Sequence, residues 1–210
     1  MIKITVAEYI ARRLVFESVK YVFGYTGSAM LKIAHEVDKR GINFIHNYHE
    51  QGSSFCAGGL AKYSSKLGVV LTTSGPGATN IITGLADAYL DSVPVLFITG
   101  QDKTTNLSDD QFIRQSGFQD LDIVSAVSKI TKYAKRIDNP LKAKETIEEA
   151  IWLAKKDRMG ATLIDIPIDI QYSEIDFNHN EMISTVKRIT PNSCTFRKED
   201  YKKVENLIRN

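Results

Sequence analysis

The chain has 210 residues, of which 43% are hydrophobic, 25% charged and 9% aromatic, which excludes long disordered, collagen-like and coiled-coil classes. The 27 Lys and Arg residues against 25 Asp and Glu residues give a net charge of +2, too balanced to indicate a nucleic-acid partner or a polybasic membrane anchor. No apolar run approaches the roughly 18 residues of a membrane span, and the first residues lack the layout of a signal peptide. We therefore expect a cytoplasmic protein.

The first predicted element is a helix. Thr5 and Glu8 have the spacing of a capping box, in which both side chains satisfy exposed backbone amides. Apolar residues behind them recur at helical spacing, so this helix is predicted to continue to about Lys20. The same periodicity, or a run of small residues typical of a closely packed helix, predicts further helices at 31–39, 52–65, 79–89, 121–127 and 140–156.

Apolar runs without alternation lie between these helices. Such runs are typical of strands that are buried on both faces, as in parallel sheets. They predict strands at 68–73, 93–99 and 161–167, and residues 42–46 are predicted to form a further strand. Strands that alternate with helices indicate an α/β domain with a mostly parallel central sheet and helices on both faces.

The domain organisation follows from where the periodic pattern stops. Residues 1–170 form one predicted domain, and 171–197 are polar with few periodic apolar residues, as in a linker. Residues 198–210 have helical spacing but nothing before them to pack against. We interpret them as the first helix of a further, middle domain.

Unusual residues follow three predicted strands, and parallel strands bring their carboxyl ends to one edge of the sheet, where ligands bind. Glu50 follows the strand at 42–46, the turn 74–77 follows the next strand, and Gln101 follows the third. Spacing alone leaves alternatives open, because Glu50 fits a carboxylate at a helix N-terminus and 74–77 fits a plain tight turn. Neither the cysteines nor the histidines have the spacing of metal ligands, so no metal site is predicted, and Cys56 is expected to be buried.

Eight short motifs occur in order along residues 3–170. They are Val22–Tyr25, His49–Gly52, Thr73–Asn80, Ala86–Pro94, Ile98–Gln101, Phe118–Gln119, Ile130–Lys132 and Leu163–Pro167. Together they resemble the N-terminal pyrimidine-binding domain of thiamine-diphosphate-dependent enzymes, most closely the acetolactate synthase group. The resemblance implies the thiamine-diphosphate-binding fold for this domain.

The resemblance also implies roles for individual residues. Glu50 would hydrogen-bond N1′ of the cofactor's aminopyrimidine, and Gln119 would lie near the reacting carbon, which makes these two the expected catalytic residues. Phe118 and Lys132 would face the substrate, although Lys132 equally fits an ordinary solvated lysine. The implied cofactor-binding residues are Tyr25, Gly27, Ser28, Glu50, Thr73, Pro76, Asn80 and Gln119.

The function implied by the resemblance is decarboxylation of a 2-keto acid such as pyruvate and condensation with a second keto acid, in branched-chain amino acid biosynthesis. The implied cofactors are thiamine diphosphate and Mg²⁺, the latter held by a missing diphosphate-binding domain, with FAD carried by some members. The implied partners are a second copy of the chain, in a homodimer or tetramer, and the missing domains. The family's Gly-Asp-Gly diphosphate signature does not occur in the 210 residues, so the chain alone is expected to be inactive.

Three departures from the family pattern leave the specific reaction open. The family's Tyr-Pro-Gly-Gly loop is replaced here by Tyr25-Thr26-Gly27-Ser28. The family's segment of an acidic residue followed by Gly-Tyr-Ala-Arg is replaced by Gly-Gly-Leu-Ala-Lys at 58–62. The stretch between Gln101 and Phe118 is also unlike the family's standard form. Two alternatives therefore stand beside the carboligase. One is a separate pyrimidine-binding subunit of a 2-keto-acid decarboxylase, and the other is a non-catalytic dimerisation module, which would have no use for Glu50.

Overall fold

Six parallel strands form the central sheet, in the order Asn43–His46 (β3), Tyr21–Gly24 (β2), Gly68–Thr72 (β4), Val95–Gln101 (β5), Thr162–Pro167 (β7) and Tyr133–Arg136 (β6). In a separate antiparallel ribbon, Ile2–Thr5 (β1) pairs with Glu174–Phe177 (β8). The computed structural model describes residues 2–108, 112–178 and 198–209. The strands are β1 (Ile2–Thr5), β2 (Tyr21–Gly24), β3 (Asn43–His46), β4 (Gly68–Thr72), β5 (Val95–Gln101), β6 (Tyr133–Arg136), β7 (Thr162–Pro167) and β8 (Glu174–Phe177). The helices are α1 (Val6–Phe16), α2 (Leu31–Asp38), α3 (Glu50–Ser64), α4 (Pro76–Asn80), α5 (Ile82–Leu90), α6 (Ile123–Val127), α7 (Ala143–Lys155), α8 (Ile168–Tyr172) and α9 (Lys198–Arg209).

The predicted α/β architecture is confirmed, with a hydrophobic core on each face of the sheet. Every residue of β4, β5 and β7 is buried, as their unbroken apolar runs predicted. Successive residues of a strand point to opposite faces, so Val69 and Leu71 join the core under α1, α2 and α7, while Val70 joins the core under α3, α5 and α6. In the part of the chain that the structure describes, no helix is long and apolar enough to cross a membrane.

The first helix begins as predicted but ends earlier. The Thr5 side chain accepts a hydrogen bond from the Glu8 amide over 3.1 Å, as a capping residue should. The other half of the predicted capping box is missing, because the Glu8 carboxylate pairs instead with Arg12 and Arg40. The chain then leaves the helix at Phe16 rather than near Lys20.

The ribbon of β1 and β8 was not predicted, and it extends the folded unit. β8 lies inside the range 171–197 that was expected to be a linker, yet it pairs with β1 along its whole length. Its Ile175 and Phe177 are buried in the core under α1. The folded unit therefore reaches at least Phe177, while residues 179–197 lie outside the described part of the chain. The helix α9 falls where the sequence predicts one, and its membership of a further domain stays a prediction.

A buried ion pair joins α1 to α7 behind the sheet. The Arg13 guanidinium is 2% exposed, and its Nε donates to both oxygens of Glu148, at 2.8 and 2.9 Å. A second carboxylate, Glu17, lies 2.7 Å from Arg13, and the Tyr9 hydroxyl donates to Glu148. Burial by itself lowers the pKa of Arg13, but the two carboxylates outweigh it, so that the pKa is raised and the charge is retained.

We predict that Glu148→Gln destabilises the domain strongly. The substitution leaves the buried Arg13 charge without its main partner, and breaking one side of a buried pair typically costs about 3–5 kcal/mol. Urea denaturation of the purified protein measures the free energy of unfolding. Lys62→Gln removes an exposed ion pair with Asp91 and serves as the control, for which we expect little change. Equal effects of the two substitutions would contradict the prediction.

Candidate functional site

The strand order creates a crevice at the carboxyl edge of the sheet. From β2 the chain moves outward to β3, and then returns to the other side of β2 to form β4. The loops that follow β2 and β4 therefore diverge in opposite directions. Open parallel sheets bind ligands at such a topological switch point. The segments 25–28, 47–50 and 73–77 all lie at this edge.

Glu50 lies at this crevice, as the first residue of α3. Its side chain is buried, with 7% of the residue exposed, and its Oε2 accepts a hydrogen bond from Asn80 Nδ2 over 2.9 Å. Among the described residues, no donor bonds its Oε1. A Cβ added to Gly77 would lie 3.4 Å from that oxygen. The carboxylate is therefore fixed through one oxygen and presents the other beside a residue without a side chain.

Two glycines enclose Thr73, the residue that follows β4. A Cβ added to Gly27 would lie 2.5 Å from the Thr73 Cβ, and one added to Gly77 would lie 2.7 Å from its Cγ2. The Thr73 hydroxyl also accepts a hydrogen bond from the Ala29 amide at 3.3 Å. The loop after β2, which carries Ser28, is thereby seated directly on the turn after β4.

Gln119 lies against the same turn. Gly75 has φ +55° and ψ −115°, a conformation that glycine adopts far more readily than other residues. A Cβ at this position would lie 2.7 Å from the Gln119 Cβ and 2.8 Å from its carbonyl oxygen. Pro76 then begins α4, where a missing amide hydrogen costs nothing. Gln119, Pro76 and Thr73 therefore all lie at or beside this turn.

Two predicted aromatic residues are more exposed. Tyr25 directly follows β2 and is 40% exposed, and its ring contacts the His46 ring at 4.8 Å between centroids with a tilt of 42°. The His46 ring also lies within hydrogen-bonding distance of the Thr26 hydroxyl, at 3.1 Å. Phe118 precedes Gln119, and its side chain is 69% exposed. Both side chains therefore have free surface at or near the crevice.

Within this chain the structure does not bring Lys132 to the other predicted residues. Lys132 precedes β6, which places it at the opposite, amino edge of the sheet. Its ammonium donates to the carbonyl oxygens of Lys156 and Arg158, at 2.6 and 2.7 Å. Burial lowers the pKa of Lys132. These hydrogen bonds hold the segment that follows α7 against Lys132. A contact of Lys132 with the substrate stays a prediction.

A buried polar cluster beside the crevice was missed by the sequence reasoning. Asp165, in the middle of β7, is 1% exposed and accepts hydrogen bonds from Thr99 at 2.6 Å and from Gln101 at 3.3 Å. Burial raises the pKa of Asp165 to about 7, although both donors and the nearby Arg136 lower it. The available signal was a carboxylate inside an otherwise apolar strand, since such a group is rarely buried without partners.

Comparison with known protein families identifies the family of this chain. The family described as "Thiamine pyrophosphate enzyme, N-terminal TPP binding domain" matches residues 4–126, more than half of the chain. The chain belongs to this family. The matched range includes the loops after β2, β3 and β4 and also Gln119, and therefore nearly every residue brought together at the crevice.

Curated relatives point to one group within the family. The chain is similar to the acetolactate synthase large subunit of Lactococcus lactis subsp. lactis, with 43% identity over 75% of this chain and 26% of the relative. It is 40% identical to a probable acetolactate synthase large subunit of Methanocaldococcus jannaschii, over 81% of this chain and 28% of the relative. For the isozyme 3 large subunit of Escherichia coli the identity is 39%, over 78% and 28%. The chain thus spans little more than a quarter of these relatives.

The raised pKa of Asp165 predicts how stability depends on pH. A carboxyl that titrates at about 7 when folded and near 3.9 when unfolded binds its proton more tightly in the folded state. Its contribution to the free energy of unfolding is therefore complete below about pH 4 and is lost as the pH rises through about 7. Asp165→Asn has no such titration, so we expect it to lose less stability than the wild type between pH 5 and 8.

Urea denaturation at several pH values measures this difference. The exposed Asp176→Asn, on β8, is the control and should follow the wild-type curve. If Asp165→Asn also followed the wild-type curve, the buried carboxyl would not be the group that titrates.

Proposed function

We propose that this chain is the N-terminal domain of a thiamine-diphosphate-dependent carboligase of the acetolactate synthase kind. The proposed reaction removes CO₂ from a 2-keto acid such as pyruvate and joins the remaining carbons to a second keto acid, as branched-chain amino acid biosynthesis requires. The observation that carries the proposal is the Glu50 carboxylate, which is buried and held by Asn80 with its other oxygen presented at the crevice.

The residues at the crevice fit the aminopyrimidine half of thiamine diphosphate. A ring nitrogen that carries a proton needs a buried acceptor, and Glu50 Oε1 offers one. Gly77 lies beside that oxygen, and the space that its side chain would need is taken by Thr73, so the turn approaches the carboxylate closely. The proposed cofactor-binding residues are Tyr25, Gly27, Ser28, Glu50, Thr73, Pro76, Asn80 and Gln119.

In the proposed reaction Glu50 is a general acid and base. Thiamine diphosphate would supply a nucleophilic carbon for the keto group and an electron-withdrawing thiazolium ring for the loss of CO₂. Glu50 holds the proton shared with ring nitrogen N1′, while Asn80 keeps the carboxylate in one orientation. Gln119, fixed against Gly75, is proposed to contact the reacting carbon, and the exposed Phe118 to contact the substrate.

The remaining cofactors and domains are also part of the proposal. The diphosphate and Mg²⁺ would be held by a separate domain, because that domain carries the family's Gly-Asp-Gly signature. The helix α9 would open a middle domain between the two, and FAD is a further candidate cofactor. We place the assembled enzyme in the cytoplasm.

We propose that a second copy of the chain packs on the outer face of α3. Gly52, Phe55, Cys56, Gly59 and Tyr63 recur there at helical spacing and are exposed. Cys56, which was expected to be buried, belongs to this face. Among the described residues, a Cβ added to Gly52 or Gly59 would meet nothing within 4 Å, so no contact in that part of the chain explains either glycine. Aromatic residues are enriched in protein–protein interfaces, and glycines allow a close approach to the backbone, so this face suits contact with a second helix.

Glu50→Gln in the full-length protein tests the proposed reaction. The amide keeps the shape of the side chain but cannot hold the shared proton, so we expect kcat to fall at least about 100-fold, the usual scale of general acid–base catalysis. The assay follows acetolactate formation from pyruvate with thiamine diphosphate and Mg²⁺. Glu174→Gln, an exposed carboxylate on β8, is the control and should retain wild-type activity. Full activity of Glu50→Gln would favour the non-catalytic dimerisation module instead.

The same assay distinguishes a fragment from an independent enzyme. We expect no appreciable acetolactate formation by the 210-residue chain alone, since the proposed diphosphate-binding residues lie elsewhere. Turnover by this chain without any other would refute that expectation.

Phe55→Glu tests the contact with a second copy. Phe55 is 46% exposed, and a carboxylate there would be buried without a partner if a second α3 face covered it. We expect the full-length protein to shift toward the monomer in light scattering. Leu141→Glu, at an 82% exposed residue before α7, is the control and should leave the molar mass unchanged. An unchanged mass for Phe55→Glu would place the contact elsewhere.

A further inference from the structure

The loop that carries Gln119 has no regular secondary structure to hold it. Residues 117–121, here called the Gln119 loop, lie between the end of β5 and the start of α6 without being part of either. Gln119 itself has φ +55°, in the left-handed region that a residue with a side chain adopts only when its surroundings impose it. The Gly75 turn contacts one side of this residue. The other contacts must come from elsewhere.

Asp102 holds the first end of the Gln119 loop. Its Oδ2 accepts a hydrogen bond from the Phe118 amide at 2.9 Å and another from Asn106 at 3.1 Å, while its Oδ1 accepts one from the Lys103 amide at 2.7 Å. A Cβ added to Gly117 would lie 2.6 Å from Oδ2, so the loop backbone rests directly on the carboxylate. Burial raises the pKa of Asp102, but the donated hydrogen bonds outweigh it and lower the pKa. The group thus remains a charged, strong acceptor.

Gln101 holds the other end. Its side chain is 1% exposed, and Nε2 donates to the Leu121 carbonyl oxygen at 3.0 Å and to Asp165 at 3.3 Å. Its Oε1 accepts a hydrogen bond from the Asp102 amide at 3.0 Å. The amide group of Gln101 therefore links the loop to the centre of the sheet through β7.

We propose that Gln101 and Asp102 are positioning residues, whose side chains anchor the two ends of the Gln119 loop to the end of β5 and so keep Gln119 against the turn at Gly75. Neither side chain is required to touch the substrate or the cofactor. The consequence for catalysis rests on the proposed function, because Gln119 matters to the rate only if the crevice carries out that reaction.

The two anchors are complementary in their geometry. Asp102 bonds a backbone amide on the near side of Gln119, and Gln101 bonds a backbone carbonyl on the far side. Losing either bond removes the hydrogen bond that joins one end of the loop to the end of β5, while Gly75 still occupies the space beside Gln119. A left-handed residue would then relax, and a displacement of about 1 Å at a reacting group can lower a rate by about 100-fold.

Four variants of the full-length protein test this proposal. Asp102→Ala removes the acceptor for the Phe118 amide, and Gln101→Met removes the donor to Leu121 with little change in volume. Asn106→Ala is matched to the first, since it breaks another hydrogen bond to the same Asp102 oxygen. Thr99→Val is matched to the second, since it also removes a hydrogen bond to Asp165 but none to the loop.

Amide hydrogen exchange over residues 112–122 is the first readout. We expect exchange in the Gln119 loop to be at least about tenfold faster in Asp102→Ala and Gln101→Met than in the wild type, and near the wild-type rate in both controls. This comparison requires no turnover. Unchanged exchange in the two test variants would overturn the anchoring, whatever the reaction proves to be.

Turnover is the second readout. We expect kcat to fall at least about tenfold in Asp102→Ala and Gln101→Met, while the two controls remain within about twofold of the wild type. Equal losses in test variants and controls would overturn the positioning role, because a general loss of stability would then explain them. Absence of thiamine-diphosphate-dependent turnover in the wild type would overturn the proposed function, and the exchange result would still decide the anchoring.

Discussion

The contact of Thr73 with two glycines is the constraint on which the crevice depends. Gly27 brings the loop after β2 onto Thr73 from one side, and Gly77 brings the first turn of α4 onto it from the other. A side chain at either glycine would push the loops apart, and Gly77 also borders the free oxygen of Glu50. The backbone segments after β2 and β4 are therefore in close contact at the point where the strand order reverses, and side chains that are distant in sequence meet there.

The polar side chains at this edge of the sheet all have hydrogen-bond partners, both the buried Glu50 and Asp165 and the half-buried Asp102. Glu50 is held by Asn80, Asp165 by Thr99 and Gln101, and Asp102 by backbone amides. An unpaired polar group in the same surroundings would cost about 1–3 kcal/mol, so these bonds also favour one arrangement of the loops over others. The bonds of Asn80, Gln101 and Asp102 therefore contribute both to the stability of the domain and to the geometry of the crevice.

Sequence patterns predicted the buried strands β4, β5 and β7 and the short edge strand β3, but they missed β1, β6 and β8. β4, β5 and β7 are buried on both faces, and their unbroken apolar runs predicted them. β6 is an edge strand with the sequence Tyr-Ala-Lys-Arg, and β1 and β8 are four residues each, so neither periodicity nor length marked them. Their pairing is between distant parts of the chain, which no local pattern records.

The residues of the candidate site were also predicted only in part. Glu50, Asn80 and Gln119 were predicted only because of the resemblance to a family, since spacing alone favoured a helix-terminal carboxylate at Glu50. Asp102 lies in the stretch after Gln101 that is unlike the family's standard form. The amide that its carboxylate accepts belongs to Phe118, 16 residues further along the chain, so no local pattern indicated the contact. Lys132 matched a family position, yet within this chain its ammonium is taken up by two backbone carbonyls at the other edge of the sheet.

The loop 25–28 departs from the family's Tyr-Pro-Gly-Gly sequence but keeps the glycine that contacts Thr73. Gly27 is retained, and it is the position where an added Cβ would overlap Thr73. Ser28, which replaces the second glycine, is exposed, so its side chain has room that a residue at Gly27 would not have. Thr26, which replaces the proline, lies within hydrogen-bonding distance of His46 and ties the loop to β3 through a side chain instead of a fixed backbone angle. The close contact with Thr73 is thus compatible with this sequence, and the difference from the family pattern falls on surfaces that face the crevice or solvent.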